Sequence, residues 1–252
     1  AAVDVLTPHS VSVEQELKAD LLAAITEPLA DETYSSGQTF TVNATVENLG
    51  EAHSLTTMAT IDVQGGARLV AGDATQSIGT LAGGTTSAEV SWTLECTSTE
   101  SVTITVTPAG VDENTMAAVD VTTPDSVSVE QELKAELAAT ITEPAEGDTF
   151  SAEQEFVVSA TISNLGEADA TGVTAVIHIE GDADLAASET ATHTLGTLAG
   201  EGALPTSWTV ECTGSGAVTI TVTPAGTDEN SGIAAEATDD AVTVNQVEKA
   251  HL

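Results

Sequence analysis

The stretch Val11-Ser-Val-Glu-Gln-Glu-Leu-Lys-Ala19 returns letter for letter as Val127-Ser-Val-Glu-Gln-Glu-Leu-Lys-Ala135, 116 residues further on. It starts a third time as Val242-Thr-Val-Asn-Gln-Val-Glu-Lys-Ala250. A period of that length is the size of one domain. Any fold proposed for the 252 residues must therefore be written twice. The repeat divides the chain into residues 1–15, a first domain over 16–131, a second over 132–247, and a remainder, 248–252, that reads as a tail or the start of a third repeat. Residues 1–15 match 117–131 almost throughout, and 117–131 reads as the closing strand of the first domain. Residues 1–15 are then the closing strand of a preceding repeat, or a strand donated to another subunit. The start at Ala1 reads as a mature or excised boundary.

Inside each copy the apolar residues alternate with period two, which is the mark of a strand with one buried face. Phe40, Val42, Ala44 and Val46 point one way, and Thr41, Asn43 and Thr45 the other. Val90, Trp92, Leu94 and Cys96 form a second inward set, and Val102, Ile104 and Val106 a third. Residues 55–63 read as a further strand, and 68–78 are less regular. Leu17 to Ile25 alternates as a strand, with Leu17, Ala19, Leu21, Ala23 and Ile25 inward. Its spacing also fits a helix with a capping box at Ser12 to Gln15, and the period of everything downstream favours strand. Asn48-Leu-Gly-Glu-Ala52 is a turn, and Gly79-Thr-Leu-Ala-Gly-Gly84 a loop whose glycines supply positive φ. The second copy repeats the order. About seven short strands with turns between them predict an all-β fold: two tandem seven-stranded antiparallel β-sandwiches, preceded by an orphan N-terminal strand.

Charge narrows the partners. Four Lys+Arg against 40 Asp+Glu leave a net charge of −36. Such a surface repels nucleic acid and anionic lipid, so neither nucleic acid nor membrane insertion is expected. It attracts cations, and it suits a protein working in strong salt, where self-repulsion is screened. No signal peptide or membrane span is visible. The acidic, Thr-rich array points to the cell exterior.

The segments Ala160-Thr-Ile-Ser-Asn-Leu-Gly-Glu-Ala168, Gly196-Thr-Leu-Ala-Gly200, and Ser207-Trp-Thr-Val210 before Val218-Thr-Ile-Thr-Val222 resemble the CARDB-like surface domains of bacteria and archaea, a branch of the immunoglobulin-like sandwiches. The first copy carries the same segments at 44–52, 79–83, 91–94 and 102–106. The resemblance implies a seven-stranded sandwich, an extracellular or cell-surface setting and no catalytic site. Domains of this kind serve as spacers, adhesins and filament or surface-layer building blocks.

The candidate sites are few. Asp112-Glu113-Asn114 and Asp228-Glu229-Asn230 recur at one repeat position. Two carboxylates and an amide supply part of the six to eight oxygens that calcium takes, so each turn is a candidate calcium site or a solvated acidic turn. Lys18, Lys134 and Lys249 are three of the four basic residues and recur at the joints. They are expected to pair with carboxylates across a domain or subunit boundary. Val3, Val5, Val11 and Val13 are the inward positions of the candidate assembly strand. Asn43-Ala-Thr45 is a glycosylation sequon. Cys96 and Cys212, one per domain, cannot form an intradomain disulfide. They read as buried thiols, with an intermolecular bridge as the alternative. No His shares a repeat position with another, and no acid/base pair or nucleophile recurs. Trp92 and Trp208 face inward, which argues against stacking on sugars.

The resulting expectation is a non-enzymatic extracellular structural protein, a subunit or segment of a filament or surface array, with strand donation as a mode of assembly. Its partners are other copies of itself and other surface proteins. An adhesin stalk or calcium-dependent binding module is the alternative.

Overall fold

The computed structural model describes residues 10–249. Among them there is no helix. The first domain runs through β1 (Asp20–Glu27), β2 (Thr33–Ser35), β3 (Thr39–Asn48), β4 (Ser54–Gly65), β5 (Ala67–Ala71), β6 (Thr75–Leu81), β7 (Thr85–Thr86), β8 (Val90–Cys96), β9 (Val102–Asp112), β10 (Val121–Thr123) and β11 (Asp125–Glu132). The second runs through β12 (Glu136–Glu143), β13 (Thr149–Ser151), β14 (Glu155–Asn164), β15 (Ala170–Glu180), β16 (Ala183–Leu185), β17 (Thr192–Leu198), β18 (Ala203–Cys212), β19 (Gly216–Asp228), β20 (Glu236–Thr238) and β21 (Asp240–Val247).

Each domain has two sheets. In the first domain the orders are β10-β1-β3-β8-β5, with β7 added on β3, and β2-β11-β9-β4-β6. In the second they are β16-β18-β14-β12-β20 and β13-β21-β19-β15-β17. The period-two pattern decides which faces meet. Leu21, Phe40, Val42, Trp92 and Leu94 from one sheet and Ile61, Ile104, Val106 and Val129 from the other fill one core. Leu137, Phe156, Trp208, Ile220 and Val244 do the same in the second domain. The fold is all-β, with two sheets enclosing one core in each domain. The outward faces carry hydroxyls that pair across strands, as Thr105 does with Ser126 at 2.8 Å.

The structure departs from the sequence reading in five places. The helix alternative for the Leu17 region is absent: β1 starts at Asp20, and Leu17 lies outside it, 67% exposed. The region read as a loop from Gly79 is strand up to Leu81, which is buried, and Gly79 bends the strand with φ of 87°. Short strands at the sheet edges, such as β2, β5 and β10, join the longer ones. Pairing is not wholly antiparallel, since β10 runs parallel to β1 and β2 parallel to β11. The closing strand is two strands. Val121–Thr123 pairs in one sheet and Asp125–Glu132 in the other, and Pro124, which has no N–H to donate, stands at the switch. In the second domain the same switch falls at Asp239.

Candidate functional site: the joint between the domains

The geometry at the domain joint starts with an asparagine. Asn164 ends β14 and is buried. Its Nδ2 donates to the carbonyls of Ala168 (2.8 Å) and Ala199 (3.3 Å). Its Oδ1 accepts from the N–H groups of Glu136 and Gly166, both at 3.1 Å. One side chain thus ties the turn 164–168, the end of β17 and the start of β12. Asn48 does the same work in the first domain, through Ala52, Leu81, Asp20 and Gly50. The glycine two residues on is obligatory. A Cβ on Gly166 would stand 2.0 Å from the carbonyl oxygen of Lys134, and one on Gly50 equally close to that of Lys18. The turn is therefore pressed against the chain that enters the domain.

The acidic turn closes over the same point. Asp228 ends β19 and is buried. Its carboxylate accepts from the N–H of Ala135 at 2.8 Å, and from the N–H and Oγ of Ser231 at 2.8 and 2.7 Å. Asp112 repeats the pattern with Ala19 (2.9 Å) and both donors of Thr115 (2.8 and 2.9 Å). The Ala19 N–H, then the Thr115 turn, hold the Asp112 carboxyl below its ordinary value. Burial alone would raise Asp228, and the bonds from Ser231, Ala135 and Ser35 outweigh it, so its pKa is also lowered.

Ser35 belongs to the other domain. Its Oγ donates to both oxygens of Asp228, at 2.8 and 2.9 Å, and is buried there. Gln38 donates to the carbonyl of Asn230 at 3.2 Å. Asn230 in turn donates to Glu132 at 3.1 Å. Parallel pairing of β2 with β11, in register Glu132 with Ser35, sets that hydroxyl in place. Only residues 133–135 separate β11 from β12. A cleft of about 240 Å³ remains beside the contact, lined by Ser35, Gly37, Gln38, Lys134, Asp228 and Ile233 among others.

Each residue singled out in the sequence now has a place. Asp112 and Asp228 accept from N–H and O–H donors of their own turns and of the chain entering each domain. Among the described residues no group of three or more His, Cys, Asp or Glu gathers as a metal site. Glu113 and Glu229 are exposed, and Asn114 and Asn230 donate to Glu16 and Glu132. Within one chain, Lys18 and Lys134 do not bridge the two domains. Lys18 pairs with Asp120 at 2.9 Å and Lys134 with Glu236, each inside its own domain, and Lys249 reaches Glu153 at 2.8 Å. All three pairs are exposed, and such pairs contribute little to stability. Each carboxylate partner raises its lysine's pKa. Val3 and Val5 lie outside the described residues. Val11 and Val13 are 85% and 80% exposed and in no strand. Cys96 and Cys212 are buried and free. Burial pushes the Cys96 thiol up to about 11 and raises Cys212 as well. Asn43 is half-buried on β3, donating to Glu27 and accepting from Ser91. Trp92 and Trp208 are each 1% exposed.

Sequence reasoning missed Ser35 and Gln38. Their counterparts Ser151 and Gln154, at the same repeat offset, were the available signal. It also missed the stacked pairs Tyr34–Phe40 and Phe150–Phe156, at 4.3 and 4.2 Å between ring centres.

No curated protein matches the sequence. The family model described as CARDB matches residues 18–115, nearly the whole first domain, so the resemblance holds there. Among solved structures, the chain is similar to the fibronectin(III)-like modules of Clostridium thermocellum CbhA, with 14% identity, 91% of this chain and 98% of that chain covered, and a TM-score of 0.31. It is also similar to red sea bream transglutaminase, with 12% identity, 94% of this chain covered and a TM-score of 0.33. It spans 32% of that enzyme's chain. Neither likeness bears on activity. No helix among the described residues is long and apolar enough to cross a membrane.

Proposed function

We propose that this chain, with a CARDB match over its first domain, is a non-enzymatic structural module of an extracellular filament or surface array. The single observation that supports this most is the spare closing strand. Val11-Ser-Val-Glu-Gln15 is identical to Val127-Ser-Val-Glu-Gln131. The second copy of the segment lies in β11, where Val129 is fully buried against the core. The first copy has the same apolar positions in water. Exposing two valines that a sheet would bury forgoes roughly 1.5–3 kcal/mol for each. A sheet edge on another copy offers that burial by strand addition, with backbone hydrogen bonds for strength and alternate side chains for register.

Both complete domains already hold a closing strand, β11 and β21. Donation therefore proceeds by exchange, in which an incoming segment takes the place of an equivalent one at little net cost. The place that suits it is β21, because the lower end of β11 is covered by the second domain.

The test compares the intact chain with one lacking residues 1–15, by light scattering and electron microscopy in strong salt, with and without calcium. The intact chain is expected to associate and the shortened one to stay monomeric. Two monomers would end the strand-donation reading and leave a spacer or stalk. Association that needs calcium in both forms would favour the binding-module alternative.

A further inference from the structure

The two domain tops are built alike, and among the described residues only one of them receives the bottom of another domain. Asp228 and Asn230 at the top of the second domain receive Ser35 and Gln38 from the bottom of the first. Asp112 and Asn114 hold the same positions at the top of the first domain, with the same internal bonds to the entering chain and the next hydroxyl residue. Asn230 and Ser231 are half-buried in the joint, whereas Asn114 and Thr115 are exposed. The bottom of the second domain is the matching half. Ser151 is set by pairing of β13 with β21, and its N–H is held by Gln154 at 3.0 Å, as Gln38 holds Ser35 at 2.9 Å. The Ser151 hydroxyl has no partner among the described residues, and Gln154 is exposed.

We infer that the top of the first domain is a docking surface for the bottom of the second domain of another copy of this chain. Ser151 of one copy donates to Asp112 of the next, and Gln154 to the carbonyl of Asn114, repeating the internal joint from copy to copy. The charges agree. Glu153 stands at the offset of Gly37, which lines the joint cleft with Lys134. The residue equivalent to Lys134 on the top of the first domain is Lys18, so Lys18 of the next copy takes the place of Lys249, which pairs with Glu153 within one chain. A contact between two different surfaces does not close on itself as a twofold one does, and it adds copies head to tail. In full repetition residues 11–16 follow the path of β21 in the docked copy. The inference thus shares the strand-exchange reading above but rests on other residues.

The test uses the full chain in strong salt, with association followed by sedimentation velocity over a concentration series. Ser151→Ala removes a hydroxyl with no internal partner. It is expected to weaken association by about ten- to a hundredfold, the effect of losing one hydrogen bond to a carboxylate, with unchanged thermal unfolding. Ser35→Ala, the control, leaves association unchanged and disturbs only the internal joint. Wild-type association by Ser151→Ala overturns the inference. If removal of residues 1–15 abolishes association and Ser151→Ala does not, strand exchange stands and this contact falls. If Ser151→Ala acts and the deletion does not, the contact stands alone. A wild-type chain that stays monomeric at every concentration overturns both.

Discussion

Asn48 and Asn164 show how much of this fold rests on single polar side chains. Each is buried, each donates to carbonyls of the turn and of the neighbouring strand end, and each accepts two N–H groups. Truncation would strand several main-chain partners away from water, at about 1–3 kcal/mol for each. Asn164→Ala is expected to destabilise the second domain by about 3 kcal/mol, measured by urea unfolding. A change under about 1 kcal/mol would mean that water replaces the amide. The sequence marks this motif as a turn, because Asn and Gly are turn residues. It does not show that the asparagine is a three-way tie, since its partners lie on strands tens of residues away. The inward sets at 40–46, 90–96 and 102–106 were legible for the opposite reason, as burial by alternation is a local property. Thr56 was not legible at all. It takes a φ of 48° at a bulge of β4 where the second domain has Gly172 at 60°, and a β-branched residue rarely takes that conformation.

At the scale of elements, the closing segment looked like one strand because its alternation continues across Pro124. The residues do alternate, but the two halves pair in different sheets, and which sheet receives each half is set by the partners. The joint was half legible: the repeated lysines drew attention to it, yet the contacts run through Asp228, Asn230, Ser35 and Gln38. Asp228 and its counterpart Asp112 have a consequence for pH. Both folded pKa values lie below the ordinary aspartate value. A group lowered on folding contributes stability that is complete above its unfolded pKa and is lost as pH falls through the folded value. The contribution is therefore expected to be constant from pH 7 to about 4 and to disappear below it. Protonation of the other carboxylates acts the other way, relieving repulsion on approach to pH 4. Thermal unfolding at low salt should thus show a maximum near pH 4, with an acid limb that Asp228→Asn flattens. An unchanged acid limb in that variant would remove the assignment.

For the whole molecule, a net charge of −36 dominates. Screening shortens the reach of each charge from about 10 Å at 0.1 M salt to about 3 Å at 1 M. The unfolding temperature is expected to rise by several degrees over that range, in sodium chloride as in potassium chloride. Equal temperatures at both concentrations would show that the charges are already balanced by their spacing.

The parallel pairs at the sheet edges bear on how such a chain carries load. The chain enters the first domain at the start of β1 and leaves at the end of β11. Tension applied along the chain would pull those two points apart. Because β1 runs beside β10 in the same direction, and β2 beside β11, that pull slides the strands lengthwise instead of peeling them open. The hydrogen bonds from Asp20 to Leu22 and from Thr33 to Ser35 must then yield together and not one after another. The second domain repeats both pairs, so a pull along the chain would meet the same arrangement twice.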